Sequence, residues 1–595
     1  MSKLAATTDA QVQRAIYVVD ESGVVDQLEQ LIVAAPQGRP RQLSLRTWLI
    51  GALIAIDNGL GFKAVSIYHS LRGMSIAMQW QLGVRRLDRR GQVKVLAKSH
   101  VDYIAKRLPE WLVCTSAGAG RYGLDWTDDE LDQRRDALQD AMDALLDASK
   151  VESHDSGWFA ADGSSTWSWG RAHRKVVDDQ DVRSHEEVVD ERTRDDHADT
   201  IGDGPAGRLA SEPPSRPADT QGEGEDPDDE EEDGKSVLEH GSTNASYDYD
   251  AAFGSKTAHG GGREAYFGYV LDALLRVARP GRPTVPMVIE RLVVSPASTD
   301  VVAPTFRLLD SLAATGVPVT DLVVDRHYSY KKVERWADQL RARRINQHFD
   351  LRADEQGFRD VNGTRLVGGC LHCPATPDRL GDIRRPGPGA TDAEKQRFAA
   401  LIAERERYAL ARDERPNASG RTRHTCPDVD GKVGCPLRPD SIPIAERNGL
   451  PIVQNPPDPE TAPACCTNAS GKITVNEPQI RKHDQPYYWG SEHWKAAYDR
   501  RTYVEGVFGS IKSTDTEGVR RGFTRYVGLP MTTIGLTLAA VIANVRHQRG
   551  HWQDHADAPE HPLVTDDPEY AAVAHLTVEQ VAVMDAQHAN EAGAA

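Results

Sequence analysis

The sequence predicts an α/β fold, an open sheet flanked by helices, and three stretches carry that expectation. Gly157-Trp-Phe-Ala-Ala-Asp162 is a short apolar run closing on Asp-Gly, the pattern of a strand that ends in a turn. Val317 to Val324 is a second apolar, β-branched run, and it stops at Asp325. Beyond it, Ser329 to Arg344 carries Val333, Trp336, Ala337 and Leu340 on one face, which predicts an amphipathic helix. Sheets of this kind place ligands outside the carboxyl ends of their strands, where both Asp residues are expected to stand.

Tyr498, Arg501, Glu505 and Lys512 add further chemistry. On one continuous helix, at about 100° per residue, their spacing puts all four within roughly 60° of one another. A face with a carboxylate, two cations and a phenol makes a poor core stripe. It suits a site that holds a divalent cation beside a phosphodiester: carboxylate for the ion, cations for phosphate oxygens, ring for sugar or base. Alone, the four residues leave open a solvated helix with an i,i+4 ion pair.

Tyr-x2-Arg-x3-Glu-x6-Lys, preceded in order by Asp162 and Asp325, resembles the signature of DDE transposases from bacterial insertion sequences. The segment Tyr247 to Gly254 followed by Glu264 to Leu271 resembles the hairpin after the first Asp in these enzymes. Val293 to Asp300 resembles the strand that leads towards the second, and Leu529 to Val545 the helix packed behind the site. The resemblance covers residues 157–170, 245–345 and 490–548, and the amino-terminal region loosely. His327 departs from it, because family members often carry Gly two residues after the second Asp.

The resemblance implies an RNase H-like mixed sheet flanked by helices. It implies that Asp162, Asp325 and Glu505 are catalytic and hold Mg²⁺ (or Mn²⁺), while Tyr498, Arg501 and Lys512 grip DNA. The implied reaction nicks double-stranded DNA at transposon ends with water, then joins the freed 3′-hydroxyl to target DNA, with a homodimer acting on paired ends. Three carboxylates suffice because Mg²⁺ takes hard oxygen ligands and keeps much of its water. Two other functions stay open: a DNA-binding regulator that does not cleave, and an RNase H-fold nuclease without strand transfer.

Charge and composition divide the rest of the chain of 595 residues. The net charge of −18 is unpromising for a DNA-binding protein, yet residues 178–240 alone contain 23 Asp or Glu against 6 Lys or Arg. This acidic insertion, with Asp226 to Asp233 at its centre, reads as disordered or loosely held. It is either a solvating insertion or a DNA mimic that shields a basic surface. Between Arg39 and Arg107 the balance reverses, with 13 Lys or Arg against 3 Asp. Residues 1–115 are expected to form an all-helical module, with helices near 43–54, 63–78 and 93–108. Its cluster Arg85, Arg86, Arg89 and Arg90 is suited to DNA contact, or else the module is a cap packed on the core. Thr127-Asp-Asp-Glu130 opens a capping-box helix within a connecting segment, 116–150.

The expected catalytic core comprises 151–177, 241–350 and 486–552, and residues 553–595 form a tail. Residues 351–485 form a second insertion, containing a charged helix near 390–412 and six of the seven cysteines. Cys370, Cys373, Cys426 and Cys435 are candidate ligands of a structural Zn²⁺, with His372 and His424 as spares. Reduced cysteines packed in an irregular insertion are the alternative. The chain opens without a signal-peptide pattern, and the apolar run at 529–545 is shorter than the ~20 residues a bilayer needs. The expectation is a cytoplasmic, nucleoid-associated protein with no membrane partner.

Overall fold

The computed structural model describes residues 7–32, 41–151, 157–172, 247–257, 263–387, 389–414, 417, 420–553, 555 and 558–565. The acidic insertion and the tail beyond residue 565 lie outside the described residues, and so does the shielding role considered for the former.

The amino-terminal region runs α1 (Asp9–Glu21), α2 (Val24–Leu31), α3 (Leu45–Asp57), α4 (Ala64–Gly73) and α5 (Ile76–Gln81). A hairpin follows, β1 (Arg85–Leu87) and β2 (Val93–Val95), then α6 (Lys98–Trp111), α7 (Ser116–Tyr122) and α8 (Asp128–Ala148). The region is therefore not all-helical. The stretch expected to open a helix at Val93 pairs with Arg85–Leu87 instead, across a turn that Gly91 closes at a positive φ of 73°. Helix α8 begins as expected: the Thr127 hydroxyl accepts from the Glu130 amide, and the Glu130 carboxylate accepts from that of Thr127.

The central sheet is mixed and six-stranded. Its strands are β3 (Trp158–Trp167), β4 (Ala252–Thr257), β5 (Arg263–Arg276), β6 (Ile289–Pro296), β7 (Asp321–Val324) and β8 (Asn346–His348). β5 runs antiparallel to β3, β4 and β6, whereas β3–β7 and β7–β8 are parallel. The parallel connections pass through α9 (Val302–Ala314) and α10 (Ala337–Ala342), as such crossovers require. The helix expected over Ser329–Arg344 is shorter than its pattern. The chain leaves β7 in a 3₁₀ turn at Arg326–Tyr330, and only Ala337–Ala342 is α-helical.

The second insertion holds two three-stranded sheets: β9 (Arg359–Val361), β10 (Thr364–Val367) and β11 (Cys370–His372), then β12 (Ala411–Arg412), β13 (Thr422–Thr425) and β14 (Lys472–Val475). Its charged helix is α11 (Asp392–Glu406), and α12 (Ile442–Arg447), α13 (Ala464–Thr467) and α14 (Pro478–Lys482) follow. The chain then returns to the core through α15 (Glu492–Tyr498), α16 (Arg501–Lys512) and α17 (Leu529–Trp552).

One continuous hydrophobic core runs from Val12 in α1 to Leu563, so the amino-terminal helices pack directly on the sheet layer. Helix α17 is its centre and touches α3, α8 and β6. At 24 residues it is longer than the sequence run suggested, and among the described residues it is the one helix apolar and long enough to cross a membrane. With 89% of its most apolar stretch buried, it is accounted for as a core helix. Two buried polar devices lock this layer. Asn544 of α17 caps the β6 backbone, accepting from Ile289 N–H at 2.7 Å and donating to its carbonyl at 3.0 Å. Beside it the fully buried Glu290 takes Lys150 at 2.6 Å and Arg276 at 2.5 Å. Truncating one member strands the others away from water. Asn544→Ala is expected to destabilise the fold by about 2–4 kcal/mol, read as a lowered urea midpoint. An unchanged midpoint would mean that α17 and β6 are not held this way.

Candidate active site

The parallel register of β3 on β7 decides the site. It pairs Trp158 with Asp321, Phe159 with Leu322, Ala160 with Val323 and Ala161 with Val324. The next residue on each strand is Asp162 and Asp325. Adjacent strands are about 4.8 Å apart, and residues level with each other on parallel strands share a face. Residues 163 apart in sequence are thus neighbours. Asp325 does end its strand, as expected, and caps the following 3₁₀ turn by accepting from Arg326 N–H at 2.7 Å. Asp162 does not. β3 continues to Trp167, so Asp162 stands mid-strand, where the buried run gives way to a half-exposed one.

Glu505 approaches from α16, which packs on β3. The four residues of the signature do not lie on one continuous helix. Tyr498 ends α15 and Arg501 begins α16, with a tightened turn between them in which Thr502 N–H bonds to Asp499 and Tyr503 N–H to Arg500. The turn keeps the group together. Arg501 donates to Glu505 at 2.6 Å, stands 3.8 Å from Asp325 and lies over the Tyr498 ring at 5.7 Å. Lys512 reaches the other side of Asp162, donating to the Ser164 hydroxyl and the Ser165 carbonyl, each at 2.8 Å.

Electrostatics confirm the crowding. Burial, then repulsion from Asp325 and Glu505, pushes the Asp162 carboxyl up to about 6; Gly163 N–H and Arg501 offset part of this. A fourth carboxylate, which sequence reasoning missed, sits behind it. Asp272 of β5 faces Gly163 in the sheet and is 3% exposed; burial first, and Asp162 second, push it up to about 7. A Cβ on Gly163 would stand 2.8 Å from the Asp272 carboxylate, so a larger residue here would push that side chain aside. An acid inside the otherwise apolar run Tyr269-Val-Leu-Asp-Ala-Leu-Leu275 was the available signal.

Tyr498 is 6% exposed, so the expected contact with sugar or base is closed to it. Its ring stacks on Trp494 at 5.0 Å, and Arg385 lies over both rings at 5.2 Å. Asp350, fully buried, holds Arg385 at 2.9 Å, Arg326 at 2.8 Å and the Trp489 indole at 3.0 Å. Tyr498 is thus a wall behind Arg501. His327 is exposed in the 3₁₀ turn, tilted against Tyr330 at 6.0 Å.

In the amino-terminal module, Arg85 donates to Gln79 and Arg86 to the Gln42 carbonyl, so this pair braces the hairpin. Arg89 and Arg90 are exposed at its turn. In the second insertion Cys373, Cys426 and Cys435 draw together with Cys465 and Cys466, whereas Cys370 faces Arg412, Asp484 and Arg405. His372 Nε2 meets the Tyr488 hydroxyl at 2.8 Å and His424 Nε2 that of Thr422 at 2.9 Å.

Hard carboxylate oxygens in excess of their counter-charge are the donor chemistry that a divalent cation takes. Among the described residues no three His, Cys, Asp or Glu side chains yet converge closely enough to hold one. Arg501, between Asp325 and Glu505, supplies the positive charge there. No family model matches the chain, and neither a curated protein nor a solved structure does.

The raised Asp162 carboxyl has a signed consequence. Its folded-state value lies above the ordinary 3.8, so the folded chain binds this proton more tightly than the unfolded one. Ionised Asp162 therefore costs stability above about pH 6, a cost that fades as pH falls towards 4. Asp162→Asn is expected to stabilise the fold at pH 8 by about 1–3 kcal/mol and to lose that advantage near pH 4. A destabilised variant at pH 8 would show that the carboxylates do not repel as described.

Proposed function

We propose that this chain is a DDE-type DNA transposase with an RNase H-like catalytic core. The observation that carries the reading is the juxtaposition of Asp162 and Asp325 on neighbouring parallel strands, with Glu505 close enough to add to their repulsion. Three carboxylates dispersed over 163 and then 180 residues have no structural need to meet. A mixed sheet with an antiparallel hairpin after the first Asp and a parallel strand delivering the second also supports it.

Asp162, Asp325 and Glu505 are the residues that would hold Mg²⁺ or Mn²⁺. Bound there, the ions supply an activated water or 3′-hydroxyl and a stabilised leaving oxygen. The chain's own side chains bind and orient. Arg501, 22% exposed and shared between two carboxylates, has guanidinium N–H groups to turn towards a phosphate. Tyr498, Trp494 and Arg385 fix its position from behind. Lys512 fixes the carboxyl end of α16 against β3, and its charge lies near that of Lys256. Arg89 and Arg90 at the hairpin turn offer contacts to the duplex backbone away from the cleavage point. Double-stranded DNA is the partner in this reading, bound by a homodimer on paired ends.

The test is cleavage of the DNA flanking the chain's own gene, with Mg²⁺ or Mn²⁺, comparing wild type with Glu505→Gln. Metal-dependent nicks at a repeat boundary and joined products, both lost in the variant while DNA binding persists, are expected. Binding without cleavage would replace the reading with a DNA-binding regulator. Cleavage without joining would replace it with a nuclease.

A further inference from the structure

The loop that joins α16 to α17 carries three exposed arginines, Arg520, Arg521 and Arg525. Arg335 and Arg384, also exposed, lie against carboxylates, Asp300 at 2.7 Å and Asp382 at 2.6 Å. Among the described residues, none of the three loop arginines meets a carboxylate. Arg520 donates from Nε to the Lys512 carbonyl at 2.7 Å, and Arg525 lies over the Trp169 ring at 5.3 Å. In a chain of net charge −18 this is a locally positive surface, and its field attracts anions.

The loop is fastened at several points. Val519 N–H bonds to the Ile511 carbonyl at 2.9 Å, and Phe62 N–H bonds to that of Phe523 at 2.7 Å. Thr524 forms a parallel β-bridge with Phe62, and the Phe523 ring is buried. Between them the backbone turns at Gly522, with φ at 88°, and a Cβ there would stand 3.7 Å from the Trp169 ring. The loop therefore passes over that half-buried indole. Cations presented from an anchored backbone lose less freedom when they take a ligand.

Lysines extend the surface at both ends. Lys512, on Ser164 and Ser165, connects it to the strand that carries Asp162. Burial, and then the charge of Lys256, holds the Lys512 amine below the usual lysine value. Lys256 itself lies over the Trp167 ring at 5.4 Å and pairs with Glu264 at 3.3 Å. At the far end Lys63 is lowered in the same way, by burial and then by Arg525. Like charges are thus held near one another at two places along one track. The cleft between the loop and the two indoles has a volume of about 10 Å³, room for a single water. A ligand lies along this surface and is not enclosed by it.

We propose that Arg520, Arg521 and Arg525 bind the phosphate backbone of the DNA as it leaves the carboxylates on the Lys512 side. The proposal rests on the transposase reading and adds to it the direction in which the duplex runs. Guanidinium N–H groups match phosphate oxygens two at a time. Phosphates recur along each strand, so a line of cations engages several of them at once, which a small lone anion does not. Trp169 is a positioning residue: it touches no phosphate and acts by steadying Arg525.

The experiment measures binding of the full-length Glu505→Gln chain to a duplex of the DNA flanking its own gene, over a range of salt. Adding Arg520→Ala, Arg521→Ala and Arg525→Ala together is expected to weaken binding at least about tenfold. The slope of log K against log salt should become shallower by about 0.9 for each arginine, with the urea midpoint unchanged. Trp169→Leu should weaken binding in the parent and add nothing once Arg525 is alanine. Affinity and slope unchanged in the triple variant, while the parent binds, overturn this surface and leave the transposase reading standing. Weaker binding with an unchanged slope overturns the phosphate assignment. A parent that binds no DNA overturns both readings.

Discussion

Four residue pairs between β3 and β7 set the positions on which the candidate site depends. They run in parallel register through the most deeply buried part of the sheet, where Phe159, Ala160, Leu322, Val323 and Val324 are essentially inaccessible to water. Both faces of these strands are buried, so a slip of one residue would exchange the two sets of side chains and misfit each against the layer packed on it. The hydrophobic effect thus pins the register, and the register in turn forces Asp162 and Asp325 together. Burial and a second like charge both disfavour ionised Asp162, and its carboxyl is raised first by that burial and then by Asp325. Burial of apolar neighbours is what holds the two carboxylates on adjacent strands.

That cost is partly offset by a cation whose own position is carefully supported. Arg501 lies between Asp325 and Glu505, against the Tyr498 ring. Tyr498 stacks on Trp494, whose indole donates to the Phe349 carbonyl at 3.2 Å. Arg385 closes over both rings and is fixed by the buried Asp350. Phe349 and Asp350 follow β8, the strand next to β7. The counter-ion is therefore referenced to the same sheet as the carboxylates it neutralises. Asp272, buried on the neighbouring strand, is pushed up by that burial and then by Asp162.

The sequence made legible those features that depend on local pattern. Apolar runs stopping at Asp162 and Asp325 located both strands, and Thr127 with Glu130 located the start of α8. What it hid depends on tertiary pairing. The Gly163 turn signal is real as composition, but in the fold that glycine lets Asp272 approach, and β3 runs on. The helical pattern from Ser329 is overridden because Tyr328 is drawn inward to the Thr305 hydroxyl at 2.8 Å and packs on Trp336. The basic cluster Arg85 to Arg90 is expected within an all-helical module; Asp88 instead accepts from the amides of Arg90 and Gln92 and closes a hairpin. The Cys-x-x-Cys stretch likewise gives no sign of its pairing: Cys370–His372 forms β11, antiparallel to β10.

The second insertion is not an appendage in this arrangement. Between Cys373 and Arg385 the chain passes through Leu380 and Ile383, both buried in the main core, so the segment that supplies Arg385 is anchored at intervals. Its start is Cys373, which belongs to the main core, as does Cys435, while Cys426 and Cys466 belong to the insertion's own cluster. The sulfurs therefore sit at the seam between the two apolar regions. Packing of Leu380 and Ile383 on the main core limits how far the insertion can shift relative to the sheet, and hence how far Arg385 can move from the Tyr498 ring. The position of Arg501, and with it the charge balance of the carboxylates, depends on that distance.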